Sequence, residues 1–155
     1  MELVFKLLYA FIAAFIASFG FAVFFGNRGK YIFLAAIGGA LAWTSYIYFL
    51  PISMALAAYV SGSVCAAYAE LLAKIYKSPA AIFLIIAILP MVPGADIFNT
   101  MKAAVFQDYT LFSRSLNNTL TISGFIALGI IIIFSLVVLQ KNIRRNWRNK
   151  DSMLS

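Results

Sequence analysis

Apolar residues run along this chain in long blocks separated by short polar or helix-breaking segments. Leu3 to Phe25 forms the first block, interrupted only by Lys6. Tyr31 to Leu50 follows and is closed by Pro51, and Ile52 to Ala73 is the third, with Glu70 in its last turn. Leu120 to Leu139 is free of charge throughout. About 20 apolar residues at roughly 1.5 Å each cover the ~30 Å of bilayer hydrocarbon. Each block therefore predicts one membrane-spanning helix: residues 3–25, 31–50, 52–73 and 120–139.

The remaining block is shorter. Ser78-Pro79 reads as a helix start, with serine as N-cap and proline in the first turn. The apolar run then reaches only Val92 before Pro93-Gly94. From Pro79 to Val92 that is roughly 21 Å of helix, too little to cross. The chain must turn back or continue outward past the break. Ile97 to Phe112 is helix-compatible and completes the crossing if Lys102 reaches out to the surface. The pattern thus predicts a broken fourth span over 79–112. The fold class is an all-α integral membrane protein of about five spans, with a membrane domain over 1–140 and a basic tail over 141–155.

Composition agrees with lipid as the solvent. Hydrophobic residues make up 64% of the chain and charged ones 11%, against about a quarter charged in soluble domains. The first block is no cleaved signal peptide, because its basic flank, Arg28 and Lys30, follows the apolar run. The net charge of +7 sits between the blocks and in the tail, which argues for a membrane and against nucleic acid. Arg28, Lys30, Lys74 and Lys77 fall in the first and third connections. Lys141, Arg144, Arg145, Arg148 and Lys150 fall in the tail, leaving Lys6, Lys102 and Arg114 on the other side. The positive-inside rule then predicts the N-terminus outside and the C-terminus inside. The tail, with Trp147, reads as an anchor on anionic lipid head groups. Tyr46 and Tyr48 at one end of the second span, and Tyr31 and Tyr76 at inner ends, suit interfacial belts.

Lipid supplies no hydrophobic drive between helices, so small residues must let them approach. Ala57, Ser61, Cys65 and Ala69 form one stripe on the third span. Ala58, Gly62 and Ala66 form a second beside it, which predicts a central helix with neighbours on both sides. The first span offers Ala10, Ala14, Ser18 and Ala22, and the second Ala35 and Gly39. The last offers Ser123 and Ala127, with Gly124 and Gly129 nearby. These stripes read as packing surfaces, and Cys65 as a small packing residue.

The chain has no histidine and one cysteine, which removes His-based metal sites, a His general base and intrachain disulfides. No catalytic residue, metal site or cofactor is expected. The polar stretch from Pro90 to Thr100 is the candidate for chemistry. Its prolines and glycine free backbone groups that hydrocarbon cannot satisfy, a feature tolerated only in protein or beside a wet cavity. Broken helices in transporters aim such a helix start at an anionic group of the substrate. Pro93, Gly94, Asp96, Asn99 and Thr100 are the candidate substrate-binding residues, with Gln107 further along the same face. Asp96 is expected to bind an ammonium group or to be protonated during the cycle. Alternatively it caps a helix lying along the interface. Glu70 pairs with Lys74 one turn away or serves, like Asp96, as a proton-coupling carboxylate. Asp108 reads as an outer-surface residue.

Phe19-Gly-Phe-Ala-Val-Phe-Phe-Gly-Asn27, Gly38-Gly-Ala-Leu-Ala-Trp43, Ser78-Pro-Ala80 and Leu89-Pro-Met-Val-Pro-Gly94 together resemble the threonine/serine exporter family, in its small-subunit branch. Met101, Gly124 and Gly129 fit the same pattern. Asp96 and Phe98 depart from it, since a small or hydroxyl residue and a tyrosine are usual there. The resemblance implies a secondary exporter of small amino acids or of small dicarboxylates in the bacterial cytoplasmic (inner) membrane. It also implies a larger five-span partner subunit of the same family. With its N-terminus out, this chain complements a partner of opposite orientation, giving an inverted repeat with the binding site between them. A non-transporting scaffold or assembly subunit is the alternative; an enzyme or a homomeric channel has little in the sequence to support it.

Overall fold

The structure, a computed structural model, describes residues 1–154, with side chains as far as Ile143. The tail residues Arg144, Arg145, Trp147, Arg148 and Lys150, read above as a lipid anchor, have side chains outside that range. Six α-helices follow one another: α1 (Glu2–Phe24), α2 (Lys30–Phe49), α3 (Met54–Tyr76), α4 (Ala80–Ile88), α5 (Gly94–Val105) and α6 (Tyr109–Leu154). A 3-10 turn over Leu89–Met91 extends α4. Four helices are long and apolar enough to cross a membrane, and a fifth crossing is completed if α4 and α5, bent by 55° at the break, form one span. The break falls at Pro93-Gly94, as the apolar run predicts.

Small residues decide which faces meet. The buried residues of α1 are Ala10, Ala14, Ser18 and Ala22. On α3, both expected stripes are buried, from Ala57 and Ala58 through to Ala69. One consequence is that α3 lies centrally, packed against α2, α4 and α6. The last helix departs from expectation. Ser123, Gly124 and Ala127 are exposed, whereas Ile122, Ile126 and Gly129 are buried against α3. Gly62 and Gly129 lie against the opposite helix's backbone: a Cβ on Gly62 would meet the Ile126 carbonyl oxygen at 2.6 Å, and one on Gly129 would strike the Tyr59 carbonyl. Of the small residues of α6, Gly129 marks the packing face and Ser123, Gly124 and Ala127 do not; the notches at Gly62 and Gly129 set it.

These contacts also fix the relative direction of α3 and α6. Residues 59–63 of α3 meet 126–129 of α6, and further along Glu70 meets Lys141. Residue numbers rise together, so the two helices are parallel. Parallel helices in a membrane both start from the same side, and α3 ends where α4 begins. The α4–α5 pair must therefore traverse the bilayer once, as a broken span. Had it turned back, α6 would run antiparallel to α3.

Each end has a local cause. Helix α1 stops in a Schellman arrangement at Gly26 (φ +76°): Gly26 N–H bonds to the Val23 carbonyl and Asn27 N–H to that of Ala22, both at 3.0 Å,. Helix α5 stops the same way without a glycine. Gln107 takes φ +56°, and Asp108 N–H donates to the Ala103 carbonyl at 2.9 Å. For this reason the half-helix ends at Val105 rather than reaching Phe112, and residues 109–112 belong to α6. Asp108 then caps α6, its Oδ1 accepting from Leu111 N–H at 3.0 Å. Pro79, not Ser78, stands at the N-cap of α4. The Ser78 hydroxyl instead donates to Tyr31 Oη at 3.3 Å or the Tyr76 carbonyl at 3.2 Å.

Candidate functional site

The depth of the break follows from two contacts. Cys65, midway along α3, holds its Sγ 3.9 Å from the Leu84 carbonyl. Gly39, midway along α2, faces Pro90, whose Cγ would lie 3.5 Å from a Cβ placed there. Pro90 thus lies beside the middle of α2, about 9 Å along the helix from the Leu84 level that meets the middle of α3, and Pro93-Gly94 follow toward Tyr46, three residues before the end of α2. Beyond the break, α5 leans away and, among the described residues, packs only against α6.

Proline at 90 and 93 removes two amide donors, and the backbone around them does not close up again. Gly94 N–H folds back onto the Val92 carbonyl at 2.7 Å, and Ile97 N–H bonds to the Pro93 carbonyl at 3.0 Å. The amides of Ala95 and Asp96 lie between these and find no backbone acceptor among the described residues. They are the orphan donors of a helix start, and with the α5 dipole they make a partly positive end suited to a carboxylate.

A cavity of about 200 Å³ lies against this end. Its floor is the break itself, Pro90 to Asp96; Ile122 of α6 and the aromatic pair Trp43 and Tyr46 of α2 complete it. Trp43 and Tyr46 stack with ring centroids 5.4 Å apart and planes 19° from parallel. Three of the expected residues, Pro93, Gly94 and Asp96, line the cavity. Asn99 and Thr100 follow on the same half-buried face of α5 but do not line it. Thr100 Oγ1 donates to the Asp96 carbonyl at 2.7 Å, which commits its hydrogen to its own helix. Gln107 lines a separate hollow with Ala103, Ala104, Tyr109 and Phe112 at the turn between α5 and α6.

Asp96 is the third residue of α5, not its cap, since Pro93 holds that position. Glu70 lies elsewhere. Its Oε2 is 3.8 Å from Lys141 Nζ on α6, so the ion pair joins two helices instead of linking Glu70 to Lys74 within one. Glu70 is 16 residues from the start of α3 and Tyr46 three from the end of α2, which separates Glu70 from the cavity by roughly 20 Å along the helix axes.

The aromatic wall is not evident along the chain. The expectation of an interfacial belt suits Tyr48, which is 50% exposed, but Tyr46 is 8% exposed and packs into the bundle. The signal lay in the i, i+3 spacing of Trp43 and Tyr46, which puts both rings on one helix face. Gly39 lies one turn earlier. Where α2 begins and α3 ends, Tyr31 and Tyr76 pair edge to face at 6.0 Å, with Lys30 Nζ 4.4 Å from the Tyr76 ring centre.

The sequence model described as "Threonine/Serine exporter, ThrE" matches residues 10–136. The chain belongs to the threonine/serine exporter family. It is a multi-pass membrane protein of the exporter type, and the family is one of transporters. The match runs from α1 into the apolar part of α6 and takes in the whole broken span. No curated protein and no solved structure matches the chain.

Proposed function

We propose that this chain is one half of a two-component secondary exporter of small solutes, working only beside a larger five-span subunit of the same family. The observation that carries the reading is the break that starts at Pro90, beside the middle of α2, and leaves the amides of Ala95 and Asp96 without backbone acceptors where these residues line a small cavity. Hydrocarbon does not tolerate such backbone; a solute in transit gives it a partner. Pro93 and Gly94 shape the turn, Asp96 supplies a carboxylate, and Asn99 and Thr100 continue the polar face outward. The substrates are small amino acids of the threonine/serine type or small dicarboxylates. Asp96 is the proton-coupling carboxylate at the cavity, with Glu70 as the second candidate at its remote ion pair.

The proposed orientation is N-terminus out and C-terminus in, in a bacterial cytoplasmic membrane, with the basic tail on anionic lipid. The outward lean of α5 supports the partner. Among the described residues helix α5 packs on α6 alone, so its remaining sides are free to meet a subunit of opposite orientation, and the solute site is completed between the two halves.

The test is export of labelled serine, threonine and succinate from cells lacking both subunits and supplied with this chain, the partner, or both. Flux is expected only with both. Full flux from this chain alone would overturn the two-component reading, and full flux from the partner alone would leave this chain a scaffold.

A further inference from the structure

We propose that Trp43 and Tyr46 of α2, with Asp96 of α5, form a subsite for an ammonium group on the transported solute. This subsite discriminates against solutes whose only charges are carboxylates. It rests on the transport reading above and assigns a specificity-determining role to two α2 residues.

Tyr46 is the starting point. It is more than nine-tenths buried, at 8% exposure, and its ring lines the cavity. The Tyr68 hydroxyl donates to the Leu34 carbonyl at 2.9 Å, but the Tyr46 hydroxyl has no partner among the described residues. Its oxygen is not sealed off as the Ser18 hydroxyl is, so it stays open to water or to a ligand that brings it a partner. The neighbouring α2 hydroxyls are committed: Thr44 donates to the Ala40 carbonyl at 2.7 Å and Ser45 to that of Ala42 at 2.8 Å.

The charges around the cavity are lopsided. Asp96 is the only ionisable carboxylate on its lining, and no lysine or arginine lines it. Lys102 and Arg114 are exposed further along α5 and α6. Trp43 and Tyr46 line the same cavity as Asp96, and the ring faces they do not turn to each other attract a cation. Carboxylate and aromatic pair thus favour the same ligand sign, while the free amides of Ala95 and Asp96 at the same cavity favour the opposite one. A small zwitterion satisfies both. A dicarboxylate brings two negative charges to a wall that already carries one. The cavity, at about 200 Å³, is smaller than the ~300 Å³ at which drug-sized pockets begin, which suits a small solute.

Trp43 reports on its own site. The chain has two tryptophans, so with W147F this chain's emission comes from Trp43, read in lipid nanodiscs that hold the full-length chain together with its partner subunit, as the difference from the same complex carrying Trp43→Phe. Titration with L-serine and with ethanolamine, which carries the ammonium but no carboxylate, is expected to change Trp43 emission saturably, while succinate at equal concentration does not. Asp96→Asn is expected to weaken serine binding at least about tenfold, and Tyr46→Phe, which keeps the ring, about three- to tenfold. Circular dichroism and a melting curve on each variant separate binding loss from misfolding. Succinate binding as tightly as serine, or serine binding untouched by Asp96→Asn, would overturn the assignment. Absence of any response from the folded protein overturns it too, even if export of serine still requires this chain. In that case the exporter reading survives and the subsite does not. Export that is unchanged when this chain is deleted strikes the exporter reading itself.

Discussion

The close approach of α3 and α6 makes a quantitative test of the topology. An alanine at position 62 would hold its Cβ 2.6 Å from the Ile126 carbonyl oxygen and 3.0 Å from the Ile126 Cα, both backbone atoms that cannot rotate aside. Ordinary contact begins near 3.4 Å, so the helices must part by about 0.8 Å. A gap of that size forfeits roughly a quarter to a half of the dispersion energy of each contact along the seam. Overpacking of this kind costs about 1–3 kcal/mol, which is an equilibrium factor of roughly 5 to 150. Gly129→Ala meets Tyr59 and Ser63 in the same seam and is expected to cost about the same. The double variant should cost well under the sum, because helices parted by one methyl already accommodate the other. Gly124, one turn away with nothing within 4 Å, is the control; alanine there is expected to be neutral or to stabilise by up to ~1 kcal/mol through helix propensity. Unfolding by SDS titration, followed by circular dichroism in mixed micelles, measures all four. Loss at Gly124 equal to that at Gly62, or strictly additive losses at Gly62 and Gly129, would refute the parallel α3–α6 seam. The single traverse of α4–α5 would fall with it.

Three further outcomes are expected. Asp108→Ala removes the N-cap bond to Leu111 and should cost about 1 kcal/mol while leaving serine titration of Trp43 unchanged. Ser18 is fully buried with no partner for its hydroxyl among the described residues, so Ser18→Ala should stabilise the protein by up to about 1 kcal/mol in the same SDS assay; destabilisation would mean that the hydroxyl is bonded. The Glu70–Lys141 pair joins a side chain 13% exposed to one 61% exposed at 3.8 Å, so Glu70→Gln should shift stability by less than about 1 kcal/mol. If Asp96 alone couples export to protons, proton-driven export survives Glu70→Gln; loss of proton coupling in that variant would move the coupling role to Glu70.

Much of the architecture was legible along the chain because each helix in lipid must satisfy its own backbone. Twenty apolar residues in a row have few other options, and a run that stops at Val92 against Pro93-Gly94 announces a break. The buried stripes of α1 and α3 were equally readable, since four-residue spacing of small side chains is local information. The end of α5 was not. Nothing in Ile97 to Phe112 forbids a continuous helix, yet Gln107 adopts a left-handed conformation usually left to glycine, and the chain turns before α6. The packing face of α6 was equally hidden. Ser123 and Ala127 offered the better small-residue stripe, but the face that packs is the one on which Gly129 can accept the backbone of α3.

The candidate site divides along the same line. Its break, its free amides and its carboxylate belong to one contiguous segment, Pro90 to Asp96, so proline chemistry and helix periodicity identified them from residue order. Trp43 and Tyr46 lie about fifty residues earlier, and Ile122 well beyond, so residue order does not indicate that they meet the break. Glu70 finding Lys141 instead of Lys74 is a case of the same kind. Periodicity is a property of one helix and can be counted along a sequence. Which helix faces which depends on how closely pairs of backbones can approach, and in this bundle that is decided by contacts between α3 and α6, and between Gly39 and Pro90, that exist only once the chain is folded.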